Sequence, residues 1–332
     1  MKKLFLLLTI TILFTNLNAQ LEEQQEYTGF LEQALDAVKK EDKKDFNINL
    51  KYFSTAIERD KITPEILTEK NLELYSKCIS AAVDNKFIDK NTALTPTDIA
   101  FLEYGADNYP KNIDILASGY ALGIFGCPQD YKKAYYWYDK ALEKEAIPPK
   151  VVMSAIPSNY TYCEDQDCIA ATIHFLEEWS EKGLAPAMNE LAKYYFGIGD
   201  HIGSGNKEAR NQWWDKSMQW YEKAFEAGEP YEKAQAADGI SNLYSRTSTT
   251  GTGENEIHWK KEYLSWLEKY VEDFEQNHPE LIKNPHENLY YQESLAALAS
   301  TYQYTAEVKD EKKSKFYKEK GCRNGVKILC RK

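Results

Sequence analysis

Residues 118–142 read SGYALGIFGCPQDYKKAYYWYDKAL, and residues 220–228 read WYEKAFEAG. Both contain two adjacent aromatics, a spacer, Lys and Ala: Trp137, Tyr138, Lys140 and Ala141 in the first, Trp220, Tyr221, Lys223 and Ala224 in the second. A pattern that recurs every few dozen residues marks an array of helix pairs, in which each pair buries its apolar face against the next.

Weaker copies extend the series. Phe175 to Gly183 carries Leu176, Glu177, Glu178 and Gly183 in register, Leu267, Glu268 and Lys269 follow Trp266, and Tyr317, Lys320, Gly321 and Gly325 close the chain. The register aromatics Trp137, Phe175, Trp220, Trp266 and Tyr317 are 38, 45, 46 and 51 residues apart, as helix pairs with loop insertions require. A companion series pairs a large aliphatic with a small residue: Leu122-Gly123, Leu191-Ala192, Ile240-Ser241 and Leu298-Ala299. Tyr195, Tyr244 and Tyr302 follow three of these steps at one offset. The large residue fills the space between paired helices and the small one lets the backbones approach. Each unit therefore reads as a first helix with the large-small step, a loop, and a second helix with the aromatic-Lys series.

These residues resemble the Sel-one-like repeat family, a branch of the tetratricopeptide superfamily. Leu122, Gly123, Asp130, Lys133, Ala134, Trp137, Tyr138, Lys140 and Ala141 sit where the family pattern wants them, and Cys127-Pro128-Gln129-Asp130 resembles its Val-Pro-Gln-Asp turn. The resemblance covers residues 111–332 and implies an all-α fold, a right-handed α/α solenoid of helix pairs. It also implies a non-enzymatic adaptor or scaffold that docks protein partners on the concave face lined by the first helices. Residues 20–110 show helical periodicity without the signature: Tyr27, Phe30, Leu31, Leu35 and Val38; Leu50, Phe53 and Ile57; Leu67, Leu74, Cys78 and Ile79. They read as degenerate helix pairs of the same array or as a separate helical domain. Thr63 with Pro64 suits a helix start. Pro148, Pro149 and Pro157 bracket a shortened helix, because proline removes a backbone donor. Gly197–Asn206 and Ser245–Glu256 read as inserted loops, and a long helix runs from Ile257 to about Gln276.

Residues 1–19 read as a signal peptide. Lys2 and Lys3 precede an apolar run, Leu4 to Phe14, that is too short to span a bilayer, and Asn18-Ala19-Gln20 suits cleavage after Ala19, although Leu17 is bulky for its place. An uncleaved anchor is the alternative. The leader resembles those of Gram-negative bacteria, which implies a periplasmic or secreted protein with no membrane insertion after cleavage. The formal charge of −11 becomes −13 when Lys2 and Lys3 leave, and a balance this acidic argues against nucleic acid and anionic membranes as partners.

Six cysteines in an exported chain favour disulfides, although six allow 15 pairings. The resemblance to cysteine-rich bacterial repeat proteins implies a staple between Cys322 and Cys330 that pins a C-terminal cap. Cys163 and Cys168 enclose an acidic loop, for which a local disulfide is preferred over a metal site. Cys78 and Cys127 either pair with each other or stay as buried thiols.

No motif supports catalysis, a metal or a cofactor. His174, His201, His258, His278 and His286 lack helical zinc spacing, the glycines between Gly197 and Gly205 lack phosphate-loop spacing, and no nucleophile elbow occurs. The reading is thus a monomeric, exported protein-binding scaffold. Its alternatives are an immunity-type inhibitor of a toxin or envelope enzyme, a glycan- or peptidoglycan-binding protein suggested by the 24 Tyr and 7 Trp, and a β-lactam-related activity without the Ser-x-x-Lys chemistry to support it. Tyr194, Tyr244 and Tyr302 are the candidates for exposed or groove-lining contacts, with Trp213 and Trp214 beside them. That last pair is adjacent on a helix and cannot face one groove together.

Overall fold

A computed structural model describes residues 24–64, 67–88, 94–145, 147–156, 166–203, 205–247, 253–282 and 288–330. The leader 1–19 and Cys163 lie outside the described residues. Helix α1 spans 24–39, followed by α2 (Lys43–Asp60), α3 (Glu69–Asp84), α4 (Pro96–Gly105), α5 (Pro110–Leu122), α6 (Tyr131–Glu143) and α7 (Pro149–Ala155). Then come α8 (Gln166–Glu181), α9 (Ala185–Ile202), α10 (Lys207–Ala227), α11 (Pro230–Thr247), α12 (Glu254–Asn277), α13 (Leu289–Tyr304) and α14 (Glu311–Arg323). Among the described residues there is no strand, and no helix is long and apolar enough to cross a membrane. The fold is all-α, built of helices packed consecutively in pairs.

The chain divides into two compact units, Met1–Val152 and Met153–Lys332. Within the first unit, Asn112 on α5 donates its Nδ2 to Ser76 Oγ of α3 (2.9 Å) and to the Leu102 carbonyl of α4 (3.3 Å). In the first unit, Tyr27, Phe53, Tyr75 and Phe101 form a continuous aromatic core, with ring centroids 5.5–6.3 Å apart. In the second unit one cluster gathers Leu264, Leu267, Val271, Tyr291, Leu295 and Leu298, and another gathers Met188, Trp214, Tyr221, Ile240 and Leu243.

Helix starts follow local chemistry. Asp130 caps α6, its carboxylate accepting from Lys133 N (3.1 Å), and Asp310 caps α14 by accepting from Lys312 N and Lys313 N, both at 3.0 Å. Thr95 and Asp98 form a full capping box on α4. The helix expected at Thr63-Pro64 begins instead at Glu69, because the Thr68 hydroxyl caps it by accepting from Asn71 N (3.3 Å). Pro149 opens a helix of seven residues, the shortened unit that the prolines imply.

Two register assignments change. Leu122 is 65% exposed and Gly123 ends α5 in the left-handed region (φ +64°), so they do not form the large-small step. Leu116 and Ala117, both fully buried, do, and Tyr120 stands three residues after Ala117 as Tyr195 stands after Ala192 and Tyr302 after Ala299. Gly197 and Gly199 belong to α9 rather than to a loop. A Cβ on Gly199 would lie 2.5 Å from the Trp214 ring, so this glycine serves close helix packing.

The close approach at the small step is visible in hydrogen bonds. Ser217 Oγ on α10 donates to the Ala192 carbonyl (2.8 Å), and Ser314 Oγ on α14 donates to the Ala299 carbonyl (2.9 Å). Both serines come three residues before their register aromatics, Trp220 and Tyr317. At the C-terminus Cys322 and Cys330 form the predicted disulfide (Cα–Cα 4.8 Å). It holds a 3-10 turn, Lys327–Cys330, whose Leu329 packs over Gly321 while Val326 joins the second unit's core. Cys168 is also disulfide-bonded, whereas Cys78 and Cys127 are free and buried.

Candidate functional site

The first helices of the pairs, α1, α3 and α5 in the first unit and α9, α11 and α13 in the second, each bear an open cleft. In the first unit the cleft holds about 450 Å³ and is lined by Leu35 of α1, by Ser76, Lys77, Ser80, Ala81 and Asp84 of α3, and by Tyr109 to Asn112 at the start of α5. Its apolar floor is rimmed by charge. Lys111 pairs with Asp84 (2.5 Å) and Lys77 with Glu73. Asn112 is fully buried, and while its Nδ2 is used twice, its Oδ1 has no hydrogen-bond partner. Such an orphan acceptor costs about 1–3 kcal/mol.

The second unit's cleft, about 250 Å³, is lined mainly by Lys193 of α9, Tyr231, Gln235 and Asp238 of α11, Tyr263 of α12 and Glu293 of α13. It is the more polar of the two. Lys193 reaches Glu190 (2.5 Å) and Lys260 reaches Asp238 (2.7 Å). Among the described residues no group of His, Cys, Asp and Glu is placed to hold a metal ion.

Two of the three tyrosines expected to contact a partner, Tyr194 and Tyr302, are buried in packing. Tyr194 is 1% exposed and Tyr302 7%, so neither is an exposed contact. Trp214 is buried against Phe196 (6.2 Å, stacked), and Trp213 is half-buried on Tyr195 (5.3 Å) under the Lys216 ammonium. Tyr244 is half-buried. None of these five lines either cleft.

The register tyrosines instead join neighbouring pairs. Tyr120 donates to Glu103 (2.9 Å) and accepts from Lys133 (3.3 Å). Tyr302 donates to Glu268 (2.8 Å) and accepts from Lys313 (3.1 Å), which also reaches Glu268 (2.9 Å). Tyr195 donates to Glu177 (2.5 Å), with Lys216 5.6 Å above its ring. Burial, reinforced by Glu268 and opposed by Lys313, pushes the Tyr302 phenol up to about 12. Each lysine stands four residues before its register aromatic. At the Tyr244 pair that position is Glu262, which accepts from Trp266 Nε1 (3.1 Å) instead. Glu103 also reveals an earlier register member, Phe101 on α4, since every register aromatic is followed two residues later by Asp or Glu.

Cleft residues such as Asn112, Asp238 and Glu293 escape sequence reasoning because each cleft is assembled from helices dozens of residues apart. No family model matches the chain, and no curated protein does. Among solved structures the chain is similar to the crystal structure of a Sel1 repeat protein from Oxalobacter formigenes. The identity is 13%, with 90% of this chain and 87% of that chain covered, and the TM-score of 0.24 is too low to establish a shared frame.

Proposed function

We propose that the chain is an exported, non-enzymatic helical-repeat protein of Sel-one-like type, which binds a protein partner on the face formed by the first helices of its pairs. The observation that carries this reading is the first unit's cleft: open, apolar at its floor and charged at its rim. An extended peptide segment supplies the matching chemistry, an apolar side chain for the floor and charged groups for the rim. Export is supported by the Lys2-Lys3 start, the short apolar run and the Ala19 boundary.

A photo-crosslinking residue placed at Lys77 or Lys111, both exposed at the cleft, tests the reading in the producing cell. Discrete adducts are expected from these two positions and not from Lys51 on α2 or Lys132 on α6, which are exposed on second helices. Labelling that is equal at all four positions, or absent at all four, would overturn it. The intact mass of the chain recovered from the same cells is expected to begin at Gln20.

A further inference from the structure

The second unit's cleft has chemistry that the first lacks. Tyr231, which lines it, packs against Tyr270 (centroids 5.0 Å) and Tyr290 (5.2 Å), so three phenol rings converge beside one mouth. Glu293 lines the same mouth and is exposed. The cations at hand are engaged elsewhere: Lys193 by Glu190, and Lys260, 17% exposed at its side chain, by Asp238. Glu293 has no ion-pair partner among the described residues.

The local field is negative. Burial first, then Glu293 and Glu232, pushes the Tyr231 phenol upward, and burial with Glu232 and Glu293 does the same to Tyr270. On α9, Glu190 leaves its buried Oε2 without a partner. A tyrosine face attracts a cation electrostatically, and a planar guanidinium can stack on a ring while donating two parallel hydrogen bonds to a carboxylate. A chain of formal charge −11 adds long-range attraction for a basic partner.

We propose that this cleft takes an arginine side chain of a partner protein, its guanidinium stacked on Tyr231 and paired with Glu293. The assignment presupposes that the first-helix face is the docking face, yet its test needs no partner. The probe is N-acetyl-arginine amide, titrated into the full exported chain carrying 13C-labelled tyrosine rings, with N-acetyl-citrulline amide as the neutral isostere. Saturable shifts of the Tyr231, Tyr270 and Tyr290 rings are expected with the arginine compound and not with the citrulline one. Glu293→Gln, at an exposed position, is expected to weaken binding about five-fold while leaving other tyrosine signals in place. Equal shifts from citrulline, no saturable shift, or an unchanged affinity in Glu293→Gln would each overturn the assignment. Loss of the probe signal with crosslinks intact at Lys77 and Lys111 removes the arginine site alone. Loss of those crosslinks with the probe signal intact removes the docking-face reading alone.

Discussion

Replacing Gly239 by alanine tests how closely the helix pairs must approach. Gly239 lies on α11 just before Ile240, where a Cβ would stand 2.2 Å from Tyr221 Cζ and 2.5 Å from both Cε atoms. Three atoms at the far end of the ring are involved, so a small rotation of the ring does not clear them. Tyr221 is 4% exposed and packs in a cluster with Ile240 and Leu243, which leaves it little room to withdraw. Overpacking of this kind costs about 1–3 kcal/mol, and alanine returns up to about 1 kcal/mol of helix propensity. The net expectation is a loss of about 1–2 kcal/mol, a fall in melting temperature of roughly 3–6 °C for a unit of this size. Six of the seven tryptophans lie in the second unit, so denaturant unfolding followed by tryptophan fluorescence reports the part that changes. The partner variant Tyr221→Leu shortens the ring and costs stability alone through the cavity it leaves. Combined with Gly239→Ala, it is expected to recover about 1 kcal/mol relative to the sum of the two. A Gly239→Ala chain as stable as the parent, or strict additivity with Tyr221→Leu, would refute the close-approach reasoning.

Burial pushes the Cys78 thiol up to about 12 and the Cys127 thiol, with help from Glu103, up to about 11. Neither is expected to react with a thiol reagent at pH 8 until the chain is unfolded. Because the unfolded chain releases these protons near the ordinary thiol value of 9.0 and the folded one does not, their contribution is fully present below pH 9 and declines above it. The unfolding midpoint should therefore fall between pH 9 and pH 11, less steeply in Cys78→Ala. Removing the staple with Cys322→Ser and Cys330→Ser is expected to cost about 2–3 kcal/mol by loop-closure entropy. The loss should appear as faster amide hydrogen exchange across 311–330, with the first unit unchanged.

The repeat was legible where one helix carries its whole signal. Trp137, Trp220 and Trp266 mark second helices because an aromatic, an apolar and an acidic residue fall together on consecutive positions. The first helices carry less, and Leu122-Gly123 imitates the large-small step while serving as a helix end. The offset to the tyrosine settles it, since Tyr120, Tyr195 and Tyr302 all donate to a glutamate of an earlier second helix. The burial of Tyr194 was not legible. Helix α9 packs against α8, α10 and α11, so adjacent Tyr194 and Tyr195 both end inside, where an amphipathic pattern assigns one of them to solvent. The glycines of α9 read as a loop because composition does not record that Trp214 needs the space above Gly199.

Packing also determines where specificity can reside. Tyr75 and Ser76 repeat the large-small step on α3, and Asn71 and Asn112 stand four residues before their large partners on α3 and α5. Asn71 donates to the Gln24 carbonyl (3.0 Å) and Asn112 to that of Leu102 (3.3 Å), each reaching an earlier helix. With the step buried, the residue just after the small one turns outward: Lys77 follows Ser76 and Lys193 follows Ala192, and each lines its unit's cleft. The step positions cannot change without parting the helices, as Ser217 and Ser314 show by bonding to the carbonyls of Ala192 and Ala299. Position 77 carries no such constraint, because Lys77 touches only the solvent-facing Glu73 and the cleft, whereas Lys193 also pairs with the buried Glu190. Recognition can therefore vary at position 77 while the step holds the frame, and the aromatic signature that identifies the array is silent about what it binds.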